Sequence, residues 1–543
     1  MNVKYLLLSF LFVSAFAMSQ AKKSKADILF FEYAYNEAIK EYYNEMNKAP
    51  LTNTQVLNLA DSFYKIGNYK QASEKYLEVY KKDSTMSNYH FSKMLAAMTK
   101  TSGSDRAKAF LATKTTALSP EFLENSEFNF ELLQSKEEDG LDFKIFNINA
   151  NSPQADFAPS FYGDRLLFSS SRRKDSKRIY APSGEGYLDI YIAKVGLGGQ
   201  ILNPNPFTGV PDSKFHTATP HYSKDLNAVF FVLSNANKGK LSFDENGKNS
   251  LALGVARGNG SFDYLLRDLS TSFYYPFYDS DNGKLYFAAN FEDSLGGTDI
   301  YYVYTNNGQI MSSPINLGPR INTPANEISP YVFENSLYFS SDIFYGLGGM
   351  DVYKSEIGEE DFYSIPVNLG DQINSEKDEF GFIIKNNIED GLIGYFSSNR
   401  PGGKGNDDIY GFLMDKKPGF KTLVIRGKIT EYNSTLGISR VGVKLLDKEN
   451  EVIKEVYSQD DGEFMIETPW QEYAKLEITK DRYSSFTQEY DEQGLEALQN
   501  NTNFSVGLTE LDALVQEREG QTVIKMNKFF FGRSRSVVTP EIA

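Results

Sequence analysis

The sequence of 543 residues contains no cysteine, a single tryptophan (Trp470) and only three histidines, His90, His216 and His221. The absence of cysteine excludes disulfide bonds, thiolate catalysis, cysteine-ligated zinc and iron–sulfur clusters. Three histidines are too few for a histidine-rich metal site. Neither a His-Glu-x-x-His run nor a Gly-x-Ser-x-Gly turn before a helix is found. From these absences the sequence predicts no catalytic residue, no cofactor-binding residue and no metal ligand.

The charge balance is acidic. Lys and Arg number 56 against 72 Asp and Glu, which gives a net charge of −16. Such a surface lacks the basic patches that neutralise phosphate, so nucleic-acid partners and docking on anionic lipid are excluded. With 41% hydrophobic and 24% charged residues, the chain has the composition of ordinary globular domains.

The N-terminus has the pattern of a secretion signal. A positively charged residue, Lys4, precedes an apolar run from Leu6 to Ala17 that is too short to span a bilayer. Ala17 and Ser19 satisfy a small-x-small cleavage site, which predicts a signal peptide at 1–19; the alternative is an uncleaved anchor. No other stretch reaches about 18 apolar residues, so we expect a protein without a membrane span, exported to the periplasm.

A helical repeat follows the signal. Tyr35–Tyr42 aligns with Tyr69–Tyr76, and the matching alanines, Ala38 and Ala72, lie one tetratricopeptide period apart. Residues 20–137 therefore resemble a short tetratricopeptide array, which implies protein binding; the alternative is a plain helical bundle.

A switch to short alternating strands marks residues 138–417. An aromatic strand ending in small polar residues recurs, as in Leu166–Ser171, Leu337–Asp342 and Gly394–Asn399. With five copies of about 50–60 residues, the segment resembles PD40-type, WD40-like propellers. This resemblance implies a β-propeller of five blades, with six left open, and residues 141–150 as a candidate closing strand.

A Gly-rich turn also recurs before a strand that opens with aspartate. The four aspartates of this turn are Asp189, Asp299, Asp351 and Asp408. Calcium ligation is one interpretation. Because each copy holds a single aspartate at a strand start, we favour a structural role in which the carboxylate binds the turn backbone.

Two further segments complete the chain. Residues 421–510 are similar to the carboxypeptidase-regulatory-like, transthyretin-type β-sandwich, on the strength of the Asp461-Gly462-x-Phe464 turn. Residues 521–543 combine an aromatic strand with Thr539-Pro540, a helix start, and resemble the beginning of an OmpA-like peptidoglycan-binding domain. An ordinary tail is the alternative for this last segment.

Together the segments predict a multidomain α plus all-β fold. Their order resembles the OmpA-family periplasmic proteins of Bacteroidota, including the PorE-type accessory subunit of type IX secretion and gliding systems. That resemblance implies a scaffold without enzymatic activity at the outer membrane. Its expected partners are a PorP/SprF-type outer-membrane β-barrel and, if the chain continues beyond Ala543, peptidoglycan.

Two other functions stay open at this point. One is a propeller that binds a glycan or another small ligand in the periplasm, and the other is a glycan-processing site in the central channel. Ligand binding predicts a polar, carboxylate-lined central funnel. A scaffold predicts instead an exposed aromatic patch on the repeats or the blade edges.

Overall fold

A computed structural model describes residues 24–83, 86–113, 118–134, 143–172, 179–245, 247–358, 362–387, 391–415, 422–501, 503–511, 515–518 and 521–524. The chain divides into two compact units, residues 1–418 and 419–543. Strands make up 40% of the structure and helices 21%. Within the described ranges, no helix combines the length and the apolar character needed to cross a bilayer.

Seven helices precede the strands in the described part of the first unit. They are α1 (Lys25–Phe31), α2 (Tyr35–Met46), α3 (Asn53–Lys65), α4 (Tyr69–Lys82), α5 (Asn88–Ser102), α6 (Ser104–Leu111) and α7 (Pro120–Gln134). Several of these helices start at a residue whose side chain caps the first turn. Thr52 and Gln55 form a capping box at α3, and the Ser87 hydroxyl accepts a hydrogen bond from the His90 amide at α5.

The predicted α plus all-β fold with tetratricopeptide repeats is wrong. The structure is mostly β, and no regular helical repeat is evident among its described helices, which vary from 7 to 15 residues. Buried Ala38 and Ala72 mark close helix packing, which does not require a solenoid. The helices also share a core with the strands that follow, since the rings of Phe122 and Phe130 lie 6.0 and 5.8 Å from Phe344.

The remainder of the first unit is a β-propeller of five sheets, as predicted. From the innermost strand outward, blade one is β2 (Asp156–Tyr162), β3 (Arg165–Ser170), β4 (Asp189–Val195) and β5 (Ile201–Pro206). Blade two is β6 (Thr217–Ser223), β7 (Ala228–Ser234), β10 (Leu251–Arg257) and β11 (Phe262–Leu266), with a hairpin of β8 (Ala236–Asn237) and β9 (Lys240–Leu241). Blade three is β12 (Phe273–Asp279), β13 (Lys284–Ala289) and β14 (Asp299–Asn306), paired by β15 (Gln309–Ile310) and β16 (Ile315–Asn316).

The last two blades close the ring. Blade four is β17 (Glu327–Phe333), β18 (Ser336–Ser341), β19 (Asp351–Glu356) and β20 (Val367–Asn368). Blade five is β21 (Glu379–Asn386), β22 (Leu392–Ser398), β23 (Asp408–Met414) and the outer strand β1 (Lys144–Asn147). The pairing of β1 with β23 joins the start of the propeller to its end and confirms the predicted closing strand.

The repeated motifs hold neighbouring strands and blades together. The Ser397 hydroxyl accepts a hydrogen bond from the Ala158 amide of the next blade at 3.0 Å, and Ser169 accepts one from Thr219 at 2.8 Å. Asp299 accepts hydrogen bonds from the turn amides of residues 295 and 296 at 2.8 and 3.1 Å, which is the predicted structural role of the repeated aspartates.

The second unit consists of two sheets and one helix. One sheet contains β27 (Glu463–Pro469), β24 (Thr422–Glu431) and β30 (Ser505–Leu508), and the other contains β26 (Val452–Tyr457), β25 (Gly442–Leu446), β28 (Tyr473–Thr479) and β29 (Phe486–Asp491). Helix α8 (Glu492–Gln499) packs with them, and β31 (Val515–Arg518) pairs with β32 (Gln521–Ile524). The predicted signal peptide at 1–19 and residues 525–543 of the predicted OmpA-like start lie outside the described residues.

Candidate functional site

The central channel of the propeller is nearly closed at its waist. Each innermost strand shifts register there, around a residue with positive φ. These five residues are Ala158, Thr219, Tyr275, Ser329 and Gly381, with φ between 46° and 65°. A proline follows four of them, and the side chains enclose a cavity of about 40 Å³. That volume holds one or two water molecules, so a sugar does not pass through the waist.

Aromatic rings form the floor of the channel mouth above this waist. Tyr275 of blade three reaches Phe380 of blade five, with 6.4 Å between ring centroids, and Phe380 lies 6.0 Å from Phe157 of blade one. All three rings are only half-buried. They therefore offer apolar surface to a ligand that enters from the mouth.

Carboxylates lie at the same end of the channel. The carbonyl of Asp407 accepts a hydrogen bond from the amide of Asp156, the first residue of the innermost strand, at 2.8 Å. The side-chain amide of the preceding residue, Asn406, donates a hydrogen bond to the Glu185 carboxylate at 2.7 Å. Asp378, which precedes the innermost strand of blade five, accepts hydrogen bonds from the Met350 amide at 2.9 Å and from Asn399 at 2.7 Å.

Asp407 differs from its two acidic neighbours. Glu185 and Asp378 are held by hydrogen bonds, whereas no hydrogen bond to the Asp407 carboxyl is found within the described ranges. Burial, followed by the negative charges of Asp378 and Glu185, raises the pKa of Asp407 to about 7. Near neutral pH this carboxyl is therefore shared between its protonated and ionised forms.

The helices supply one wall of the mouth. Tyr89 of α5 packs on the backbone of Gly297, where an added Cβ would lie 2.7 Å from the tyrosine ring. The ammonium of Lys93 is 4.1 Å from the Tyr89 ring centroid and 3.3 Å from the Asp61 carboxylate. Burial, the largest single cause, acts to lower the pKa of Lys93, but the charge of Asp61, the contact with Tyr89 and the charge of Asp342 together outweigh it, and the pKa is raised. This paired lysine fixes the wall and does not contribute an open charge.

Tyr33 and Lys65 belong to the helical part and face the propeller across a space that solvent reaches. Both side chains are exposed to solvent. Even so, the surrounding protein lowers the pKa of Lys65 and raises the pKa of Tyr33, with desolvation as the leading cause in each case. The charge of Asp378 acts on Lys65 as well as on Asp407, and the charge of Asp244 acts on Tyr33, so both helical side chains face charged turns of the propeller.

We call this space the mouth cleft. Its members are the floor rings Phe157, Tyr275 and Phe380, the carboxyl groups Glu185, Asp378 and Asp407, and the wall residues Tyr33 and Lys65. The cleft is open to solvent, its floor is aromatic and its rim is acidic. A polar, carboxylate-lined funnel is the feature that the ligand-binding interpretation predicted.

The three histidines do not converge on the cleft. His90 lies on α5 with its Nδ1 2.8 Å from the Ser87 hydroxyl, and His221 lines the waist. The Nδ1 of His216 accepts a hydrogen bond from the Leu188 amide at 3.1 Å, and burial lowers its pKa to about 4. His216 is therefore neutral at physiological pH.

Sequence reasoning missed Asp407, although the repeat contained a signal. Asp407 precedes the repeated Asp408, and the same position in three other copies holds Leu188, Thr298 or Met350. Only this copy places an acid there. This departure from the structural repeat is the signal that sequence reasoning could have used.

Comparisons with known proteins find solved structures only. No protein-family model and no curated protein matches the chain. A family 117 glycoside hydrolase, Zg3597 of Zobellia galactanivorans, is 14% identical with a TM-score of 0.31, over 51% of this chain and 90% of that one. The family 43 glycoside hydrolase BlXynB of Bacillus licheniformis is 9% identical with a TM-score of 0.32, over 67% and 94%. A xylan β-1,4-xylosidase of Bacillus halodurans is 9% identical with a TM-score of 0.31, over 68% and 97%.

These comparisons correct several predictions. The expectation that the chain is not an enzyme is not upheld by these comparisons, since the solved structures named above are glycoside hydrolases. At these TM-scores the matches assign no activity and no substrate. The predicted tetratricopeptide, OmpA-like and secretion-system character is also overturned, and only the β-propeller is retained. The scaffold role with a PorP/SprF-type barrel receives no support.

Proposed function

We propose that this propeller binds a glycan or a similar polyhydroxylated small ligand in the mouth cleft. The observation that carries the proposal is the pairing of half-exposed rings, Phe157, Tyr275 and Phe380, with the carboxyl groups Asp378 and Asp407 at one solvent-accessible mouth. Sugar rings present apolar C–H faces that stack on aromatic rings. Their hydroxyls donate hydrogen bonds that carboxylates accept.

The cleft favours a neutral ligand over an anionic one. Asp378, Asp407 and Glu185 lie at its rim, and the protein as a whole carries a charge of −16. An anionic ligand would meet like charges in a partly desolvated site, which costs free energy. The closed waist leaves the mouth as the entrance, so the ligand lies on the aromatic floor and does not thread the channel.

We also propose that the protein acts in the periplasm. The positively charged start and the apolar run Leu6–Ala17 support export by a signal peptide. Periplasmic extracts and cleavage-site mapping of the mature N-terminus would test this location. Recovery of the protein in the cytoplasm with residues 1–19 intact would contradict it.

Binding is tested with the full chain against a panel of neutral and acidic oligosaccharides, by saturation-transfer NMR followed by calorimetry. We expect neutral sugars to bind with their C–H faces against protein. Substitution Phe380→Ala should weaken binding about two- to twelvefold, because a lost ring contact is worth about 0.5–1.5 kcal/mol.

The matched control is Tyr457→Ala in the second unit, where the side chain is 64% exposed. This variant removes an exposed aromatic ring from the other unit and should bind as the unchanged protein does. The proposal fails if no saccharide binds, or if both variants weaken binding equally.

A further inference from the structure

We propose that the mouth cleft binds a chain of two or more neutral sugar units, with one unit on the aromatic floor and the next on the rings of Tyr180, Tyr187 and His216. This inference rests on the proposed function, since it requires a glycan in the mouth cleft, and it adds the size class of the ligand. We call these three rings the lateral site.

The lateral site lies at the same end of the propeller as the mouth cleft. Tyr180 and Tyr187 belong to the turn between β3 and β4, and His216 immediately precedes β6. Because the strands of a blade are antiparallel, the turn between the second and third strands lies where the innermost strand begins. In blade one that strand begins with Asp156, whose amide donates to the carbonyl of Asp407 in the mouth cleft.

Glu185 connects the lateral site to the floor by direct contacts. Its carbonyl oxygen accepts a hydrogen bond from the Tyr180 amide at 2.8 Å. Its carboxylate accepts one from the Ala155 amide at 3.2 Å, and Ala155 lies two residues before the floor ring Phe157. One residue therefore contacts both sites, and the lateral site adjoins the floor.

The rings of the lateral site hold one another in place. The centroid of the Tyr180 ring is 4.5 Å from that of His216, and the Tyr187 ring is 4.7 Å from His216 and 5.5 Å from Tyr180. All three residues are half-buried, so part of each ring remains accessible to solvent. Rings that are fixed before a ligand arrives lose little conformational freedom on binding, which favours stacking of a sugar.

The polar groups of the lateral site suit a neutral sugar. Burial lowers the pKa of His216 to about 4, and burial and the nearby Tyr187 raise the pKa of Tyr180, so both rings are uncharged near neutral pH. The Nδ1 of His216 accepts a hydrogen bond from the Leu188 amide, which leaves the ring proton on Nε2. This N–H and the tyrosine hydroxyls are hydrogen-bonding groups for the hydroxyls of a sugar.

The shape of the channel sets the direction in which a longer ligand extends. The waist cavity of about 40 Å³ holds one or two water molecules, so a sugar chain does not continue along the channel axis. The helices contact the turns of blades three and four, where Tyr89 packs on Gly297 and the Lys100 ammonium donates a hydrogen bond to the Gly348 carbonyl. The lateral site lies on blades one and two, away from these contacts.

The test uses the full chain with the monosaccharide and the trisaccharide of one neutral sugar that binds in the NMR screen. Calorimetry measures both affinities, and the readout is the ratio of the trisaccharide affinity to the monosaccharide affinity. Tyr180→Ala should lower this ratio about two- to twelvefold, because the second unit loses a ring contact. Tyr180→Phe keeps the ring and should preserve the ratio.

The matched control is Tyr264→Ala, which removes a 40% exposed ring from β11, the outer strand of blade two, and should also preserve the ratio. Saturation transfer from the protein to the trisaccharide gives a second readout. Protons of two adjacent units should receive saturation in the unchanged protein, and those of one unit in Tyr180→Ala.

The outcomes separate this inference from the proposed function. A loss of folding or of floor binding would lower both affinities equally and leave their ratio unchanged. If saccharides bind but Tyr180→Ala leaves the ratio unchanged, or if Tyr264→Ala lowers it as much, the lateral site is overturned and binding on the floor stands. If no saccharide binds, both proposals are overturned.

Discussion

Replacing Asp407 with asparagine should stabilise the first unit, and the gain should depend on pH. In the folded protein, burial and the charges of Asp378 and Glu185 raise the pKa of Asp407 from 3.8 to about 7. Because this pKa differs by about three between the unfolded and folded protein, ionisation of Asp407 destabilises the folded state by at most about 4 kcal/mol. Because solvent reaches this half-buried carboxyl, we expect about 1–2 kcal/mol.

The direction in which stability changes with pH follows from proton binding. Since the folded pKa lies above the unfolded one, the folded state holds more protons between about pH 4 and pH 7, and stability falls as the pH rises through this interval. The asparagine variant does not titrate at this position. Its advantage over the unchanged protein should be absent below pH 4, grow up to pH 7 and remain constant above it.

Thermal unfolding measured from pH 4 to pH 8 tests this expectation. A gain of 1–2 kcal/mol corresponds to a Tm increase of about 1–4 °C at pH 8 for a unit of this size. Asp371→Asn, an exposed control in the connection between blades four and five, should show no increase. Burial also raises the pKa of Asp351 to about 7, but that group is present in both proteins and cancels in the difference. A Tm difference that is equal at pH 4 and pH 8 would refute the reasoning.

Three further substitutions test the packing of the two units. Ser397→Ala should lower the free energy of unfolding by about 1–3 kcal/mol in denaturant, because the buried Ala158 amide loses its hydrogen-bond acceptor. An unchanged midpoint would show that another group accepts this hydrogen bond. Lys93→Met should cost about 3–5 kcal/mol by leaving the buried Asp61 carboxylate without its cation, and equal stability would contradict the assigned ion pair. Phe464→Ala should lower the free energy of unfolding of the second unit by about 3–5 kcal/mol, because this ring lies in its core. Hydrogen exchange of that unit measures the change, and unaltered exchange would contradict the prediction.

The propeller could be predicted from the sequence because its constraints are local and repeated. The pattern of Leu337–Asp342 requires one buried, alternating strand, and the hydrogen bond from Ser341 to Glu327 is repeated in blade five between Ser398 and Glu379. The repeated aspartates likewise bind amides only a few residues away, as with Asp299 and residues 295 and 296. Interactions of short range leave a signature that repeats along the chain.

The helical segment was interpreted wrongly for a complementary reason. Alanines such as Ala38 and Ala72 report that two helices approach closely, and they carry no information about what covers the outer faces. That information resides in contacts distant in sequence, such as the ring contacts of Phe122 and Phe130 with Phe344. A pattern with a 34-residue period therefore did not establish a repeat domain.

What the sequence determined by itself was the class of the main unit, since strand alternation, turn residues and motif spacing recur in every blade. The absence of cysteine and the scarcity of histidine also left carboxyl, hydroxyl, amine and guanidine groups to carry any chemistry. Only the tertiary structure decided where that chemistry lies. Glu185, Asp378 and Asp407 come from different turns, and closure of the ring brings them to one mouth. A raised proton affinity arises from burial and from neighbouring charges, which are properties of a place in the fold and not of a residue in a sequence.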